Sequence, residues 1–151
     1  MKNLRKCRTL LKFMPKRILI VDDDPAMVEV LRFALHSEGY AIRTAVTGRE
    51  ALKKALLSPP DLVVLDLIMT GLPGFSLCER LRSHSATASV PVIMMTALAG
   101  GLNRLARNEM GGADDIRKPF EIQELISRVG DLFRRTEGCF IGPRELAVLA
   151  A

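Results

Sequence analysis

The sequence predicts an α/β fold in which a five-stranded parallel sheet, in strand order 2-1-3-4-5, carries helices on both faces. Three observations lead there. Short apolar, β-branched runs recur along the chain, at 18–21, 62–65 and 90–95, and runs of that length read as strands buried on both faces. Stretches with apolar residues at helical spacing separate them, and strands alternating with helices imply right-handed crossovers and a parallel sheet. The run Leu62-Val63-Val64-Leu65 also ends in one carboxylate, Asp66, followed by the breakers Gly71, Pro73 and Gly74, so Asp66 belongs at the carboxyl end of a central strand.

Taken in order, Ile18-Leu19-Ile20-Val21 is the first strand and runs into Asp22-Asp23-Asp24. Pro25 suits the first position of a helix, and Asp24 can cap it. Met27, Leu31 and Leu35, with Val30 and Ala34 beside them, give that helix its apolar face, and Glu38-Gly39 ends it. Ala41 to Val46 is a weaker second strand. Thr47 caps a helix over Arg49–Leu57, which Ser58-Pro59-Pro60 stops. After the Asp66 strand, a helix from Phe75 to about Arg82 places Phe75, Cys78 and Leu81 on one face. The small, polar stretch from Ser83 to Ser89 is a loop.

The fourth strand is Val90 to Thr96, with Pro91 near its start, where a missing amide is tolerated. Leu98 to Met110 reads as a helix with a soft first turn at Gly100-Gly101, closed by Gly111-Gly112. Ala113 to Arg117 is a short fifth strand. The last helix, Glu121 to Arg135, has the cleanest stripe: Ile122, Leu125, Ile126, Val129 and Leu132. The Met-rich run Ile93-Met94-Met95 reads as core.

The 151 residues are 48% hydrophobic and 26% charged, enough for one α/β domain with a sizeable core. The net charge of +5 is uneven: residues 1–17 hold seven basic residues and no acid, which leaves 15 basic against 17 acidic residues in the rest. The basic excess therefore lies in residues 1–17, five of the seven in a leader over 1–15 that is disordered or extraneous to the domain, and this argues against DNA binding by the body. The body is a single domain over 16–135. Residues 136–151 form a tail too short for a second domain. Met14-Pro15 directly precedes the first strand, so translation starting at Met14 is an alternative reading. No apolar run approaches a membrane span. The three cysteines, Cys7, Cys78 and Cys139, are widely spaced, without zinc or disulfide patterning, which points to a reducing, cytoplasmic setting.

The chemistry collects at the sheet's carboxyl rim. In this strand order the first and third strands are neighbours, and the crevice where the winding reverses lies between them. Asp22, Asp23 and Asp66 then converge. Like charges that close together call for a cation, and Mg²⁺ with oxygen ligands suits the set. Thr96 ends the fourth strand and Lys118 follows the fifth. A hydroxyl and a fixed positive charge beside a metal-bound carboxylate suit an incoming anion, and the economical proposal is a phosphoryl group transferred onto Asp66.

With these motifs assembled, the sequence resembles a response-regulator receiver domain, the phosphoacceptor module of two-component signalling, over roughly residues 16–135. The resemblance rests on four segments in order: Ile-Leu-Ile-Val-Asp-Asp-Asp at 18–24, Pro-Asp-Leu-Val-Val-Leu-Asp at 60–66, Pro-Val-Ile-Met-Met-Thr-Ala at 91–97, and Gly-Ala-Asp-Asp with Lys-Pro-Phe within 112–120. It implies a flavodoxin-like fold and makes Asp66 the phosphorylated residue. It implies that Asp22, Asp23, Asp66 and the backbone carbonyl of Ile68 hold Mg²⁺. Thr96 and Lys118 become the switch threonine and the phosphate-binding lysine, with Pro119 in a structural role. The chain departs from the family pattern in three places. Thr70 stands where proline is usual and Pro73 near the usual aspartate, which points to a differently shaped loop. Asp115-Ile116-Arg117-Lys118 is one residue short, a change that alters which face each side chain takes. The aromatic that would rotate with the threonine is missing: Ile116 is nearest, and Tyr40 lies elsewhere.

The function implied is a non-enzymatic phosphoacceptor that takes its phosphoryl group from a sensor histidine kinase or a histidine phosphotransfer protein. Output would pass through a downstream protein partner or a homodimer. Two alternatives stand beside it: a degenerate receiver that docks without phosphorylation, and a small aspartyl-phosphate phosphatase.

Overall fold

The computed structural model describes residues 14–69, 73–97 and 114–136. Five strands, β1 (Arg17–Val21), β2 (Ala41–Ala45), β3 (Leu62–Asp66), β4 (Val92–Thr96) and β5 (Asp114–Arg117), form one parallel sheet in the order β2-β1-β3-β4-β5. Four helices lie in the described residues: α1 (Pro25–Ser37), α2 (Gly48–Leu57), α3 (Gly74–Ser83) and α4 (Ile122–Thr136). The expected helix over Leu98–Met110, the cysteines Cys7 and Cys139, and most of the leader and tail fall outside the described residues.

The pleat divides the sheet's side chains between two cores. Leu19, Val21, Val63, Leu65, Val92 and Met94 pack on one side with Ala51 and Ala55 of α2 and Leu77, Cys78 and Leu81 of α3. Ile18, Ile20, Leu62, Val64, Ile93, Met95 and Ile116 pack on the other with Leu31 and Leu35 of α1 and Leu125, Val129 and Leu132 of α4. β3 and β4 are buried along their whole length. This is why both read as unbroken apolar runs rather than as alternating ones.

The helix starts follow local chemistry. The Asp24 carboxylate accepts from the Ala26 amide at 3.0 Å, with Pro25 in the first turn. Thr47 Oγ1 accepts from the Glu50 amide at 3.1 Å. Gly39, at φ 93°, follows α1 in a conformation that strains other residues. The loop that follows Ser83 is tied back to the last turn of α3. Arg82 donates to the carbonyls of Thr87, Ala88 and Val90, and the buried Thr87 hydroxyl donates to Leu81 O at 2.7 Å.

Two helix faces differ from the expected ones. Val30 is 50% exposed and Val28 takes the buried place beside Leu31 and Leu35; Phe75 is 49% exposed and Leu77 joins Cys78 and Leu81 inside. Each helix carries more apolar residues than its sheet-facing stripe can hold. Docking on the sheet decides which ones are covered.

Candidate functional site

The strand period that sorts the core also builds the site. Counting by twos, Ile18 and Ile20 lead to Asp22, Leu62 and Val64 lead to Asp66, and Ile116 leads to Lys118. Parallel pairing of β1 with β3, of β3 with β4, and of β4 with β5 brings these positions to one rim of the sheet. Each side chain therefore continues the inward row of its own strand, at the level where the apolar core stops.

At that rim, one carboxylate oxygen from each of Asp22, Asp23 and Asp66 lies within 4.8 Å of the other two. Asp22 is fully buried and Asp66 is 7% exposed. Lys118 Nζ donates to Asp22 Oδ2 at 3.0 Å and stands 3.5 Å from Asp66 Oδ2. Backbone amides fix the other oxygens: Asp24 N donates to Asp22 Oδ1 at 2.9 Å, and Ile68 N donates to Asp66 Oδ1 at 3.1 Å. Thr96 is fully buried at the end of β4, and its carbonyl accepts from Lys118 N at 2.7 Å. This bond carries the β4–β5 pairing one step past the strand end.

Burial lifts the Asp66 carboxyl above the usual carboxylate range, and Asp22 adds to the rise; the Ile68 amide and the Lys118 ammonium oppose it only in part. For Lys118, burial pulls the ammonium down, but the hydrogen bond and charge of Asp22 and the charge of Asp66 outweigh it, and the net direction is up. The Lys118 ammonium thus serves two of the three clustered carboxylates, Asp22 and Asp66. The remaining negative charge, offered through oxygen atoms alone, is a donor set that fits a hard divalent cation such as Mg²⁺.

The predicted residues Asp22, Asp23, Asp66 and Lys118 come together. Thr96 lies at the same strand-end level, one position past Met95, the register partner of Asp66. Ile68 sits two residues beyond Asp66 with its side chain 60% exposed and its amide on the Asp66 carboxylate. The Lys118–Pro119 peptide is cis. The short fifth strand does not divert the lysine from the acidic cluster. Ile116 is buried in the core beneath it. The differently shaped loop expected around Thr70 lies outside the described residues. Gly74 was legible in the sequence only as a chain breaker; the structure seats it directly against the backbone that follows Asp66.

An α/β domain with an acidic, cation-competent rim at its topological switch point is the class that fold and site define. The chain belongs to the response regulator receiver domain family, whose model matches residues 18–130. It is 40% identical over 121 residues to the DNA-binding dual master transcriptional regulator RpaA of Synechocystis sp., covering 80% of this chain and 50% of that protein. It is 39% identical over 124 residues to the alkaline phosphatase synthesis transcriptional regulatory protein PhoP of Bacillus subtilis, covering 82% of this chain and 51% of that one. The chain thus spans about half the length of these relatives. Among solved structures, chemotaxis protein CheY4 of Vibrio cholerae aligns with a TM-score of 0.73 at 26% identity, over 78% of this chain and 98% of that one. The receiver domain of a signal transduction histidine kinase from Syntrophus aciditrophicus aligns with a TM-score of 0.73 at 31% identity, over 83% and 95%.

Proposed function

We propose that this receiver domain accepts a phosphoryl group on Asp66 from a phosphohistidine of a sensor kinase or a histidine phosphotransfer protein. One observation carries the reading: a carboxylate at the end of the central strand, grouped with two others within 4.8 Å and met by the Lys118 ammonium. An Asp66 oxygen attacks phosphorus. The new O–P bond forms as the P–N bond breaks, and the electron pair returns to the imidazole nitrogen. Asp66 becomes an acyl phosphate. Attack of water on phosphorus then breaks that O–P bond and returns the carboxylate and inorganic phosphate, so the chain is a switch rather than an enzyme with a separate substrate.

Asp22, Asp23, Asp66 and the Ile68 carbonyl would hold Mg²⁺. When bound, it supplies charge neutralisation for the phosphoryl oxygens. Lys118 binds a phosphoryl oxygen with the ammonium that now bridges Asp22 and Asp66, and the Thr96 hydroxyl donates one hydrogen bond to another. Pro119 shapes the turn that presents the lysine. Phosphorylation adds about −1.5 to −2 charge and three acceptor oxygens, which changes the affinity of the domain for a downstream protein or for a second copy of itself. The relatives named as transcriptional regulators are about twice the length of the matched region. RpaA alone of the two is named as DNA-binding, and that name belongs to the whole protein; protein contact is the role proposed for the receiver itself. A cytoplasmic setting is part of the same proposal, since its phosphoryl donor is the proposed kinase or phosphotransfer protein. No helix in the described residues is long and apolar enough to cross a membrane.

The test is the intact mass after incubation with acetyl phosphate and Mg²⁺. One added phosphoryl group is expected, absent in Asp66→Ala and in the presence of EDTA. An unmodified wild-type mass would leave a phosphorylation-independent docking module as the better reading. Repeated turnover of a phosphate ester would favour the phosphatase.

A further inference from the structure

We propose that Gly74 is a positioning residue for the acceptor and for the metal ligands, an inference that rests on the reading of Asp66 above. Gly74 is the first residue of α3 and is buried. Its amide donates to Leu67 O at 3.3 Å. A Cβ placed on it would lie 2.6 Å from Asp66 O, 2.7 Å from the Leu67 Cα and 3.2 Å from the Leu67 carbonyl carbon. All three neighbours are backbone atoms, so no rotamer change relieves the contact. Gly74 does not have a positive φ, unlike Gly39. Its requirement for glycine is therefore one of space, not of backbone conformation.

The backbone it touches is the one that carries the site. Asp66 Oδ1 is tied to Ile68 N at 3.1 Å, so a displacement of Leu67 moves the carboxylate and the Ile68 carbonyl together. Bringing a Cβ from 2.6 Å to ordinary contact at 3.4 Å or more requires either α3 or the 66–68 backbone to give way by close to an ångström. Octahedral Mg²⁺ tolerates little ligand displacement, and a misplacement of about 1 Å costs roughly 100-fold in rate. The absent side chain lets α3 act as a rigid backstop for the acceptor strand. Gly130 is a natural contrast. A Cβ there meets only the Arg134 guanidinium, at 3.4 Å, the far end of a side chain that can move aside.

The experiment compares the full chain with Gly74→Ala and Gly130→Ala. Three quantities are read: Mg²⁺ affinity by titration with the metal alone, phosphorylation rate with acetyl phosphate at saturating Mg²⁺, and the unfolding midpoint. Gly74→Ala is expected to weaken Mg²⁺ binding by about 10-fold or more and to slow phosphorylation by roughly 10- to 100-fold. Gly130→Ala is expected to leave both within about twofold. A Gly74→Ala protein that is merely less stable, with wild-type Mg²⁺ affinity and rate, overturns the proposal. If Gly74→Ala does not fold, the wild-type amide spectrum decides. The Gly74 resonance should shift during the Mg²⁺ titration in parallel with Ile68 while Gly130 stays in place, and an unmoved Gly74 overturns the proposal. A wild-type chain that binds Mg²⁺ but takes no phosphoryl group would sink the phosphoacceptor reading alone, since the metal titrations still judge Gly74.

Discussion

Lys118 Nζ lies 3.0 Å from the fully buried carboxylate of Asp22 and 3.5 Å from that of Asp66. Asp22, rather than the proposed acceptor, is thus the closer partner of the lysine. The arrangement leaves the acceptor carboxylate less fully neutralised than its neighbour, which suits a group that must bond to an incoming phosphorus.

Removing the ammonium should therefore destabilise the domain. Lys118→Met leaves a buried carboxylate without its counter-ion. Because the lysine is itself partly exposed, a loss of about 1–3 kcal/mol is expected rather than the full cost of breaking a buried pair. Urea denaturation measures the loss. Added Mg²⁺ should stabilise Lys118→Met more than it stabilises wild type; equal stabilisation of the two would count against a shared charge cluster.

Asp66 should make stability fall as pH rises. Burial places its folded-state pKa above the unfolded value, so the native state holds its proton more tightly and ionisation costs stability. The wild-type chain loses stability as pH climbs from the unfolded carboxylate value, about 3.9, through the raised folded one. Asp66→Asn escapes this loss. Thermal melts should show the variant more stable than wild type at pH 7, with the gap closing as the solution is acidified. A gap that widens on acidification would contradict the direction of the shift.

Cys78 should be chemically silent in the folded protein. Burial pushes its thiol up to about 11, so at pH 8 only about one molecule in 1,000 carries the thiolate that reacts. Peptide mapping after iodoacetamide treatment should find Cys78 unmodified in buffer and modified in denaturant. Labelling in buffer at the rate of a free thiol would mean that the α3–sheet core opens readily.

Arg128 ties α4 to the start of β5. Its Nη1 donates to Asp114 Oδ1 and to Asp115 O, both at 2.9 Å, and its Nη2 to Glu124 Oε1 at 3.0 Å. Arg128→Ala should cost about 1 kcal/mol, since the group is part exposed. Arg128→Lys should recover little of that loss, because one ammonium does not reproduce the planar fork. Denaturant midpoints check both; full recovery in the lysine variant would show that only charge matters.

The central strands were readable because each is a continuous apolar run closed by a turn signal. β5 is far less apolar: Asp114-Asp115-Ile116-Arg117 carries a single buried apolar residue, Ile116. The caps at Asp24 and Thr47 were readable because a cap is a contact between residues two or three apart. Val30 and Phe75 share the apolar spacing yet stand in solvent, for the opposite reason. Helical spacing defines a broad apolar stripe, and only the sheet's position selects its covered half. Gly74 was visible as a turn residue, but its contact with the Asp66 backbone belongs to the seating of α3.

The chain's residue order by itself determined the strands and most of the helix boundaries, and it put forward Asp22, Asp23, Asp66, Thr96 and Lys118 as the candidate site. Periodicity and turn preference act between near neighbours and survive in a one-dimensional string. Only the tertiary structure decided that Lys118 favours Asp22 across 96 positions of sequence, that the short fifth strand still delivers that lysine to the rim, and that α3 sits on the acceptor's own backbone. Those outcomes come from strand register and helix docking, which sum weak contacts over the whole sheet and have no local signature.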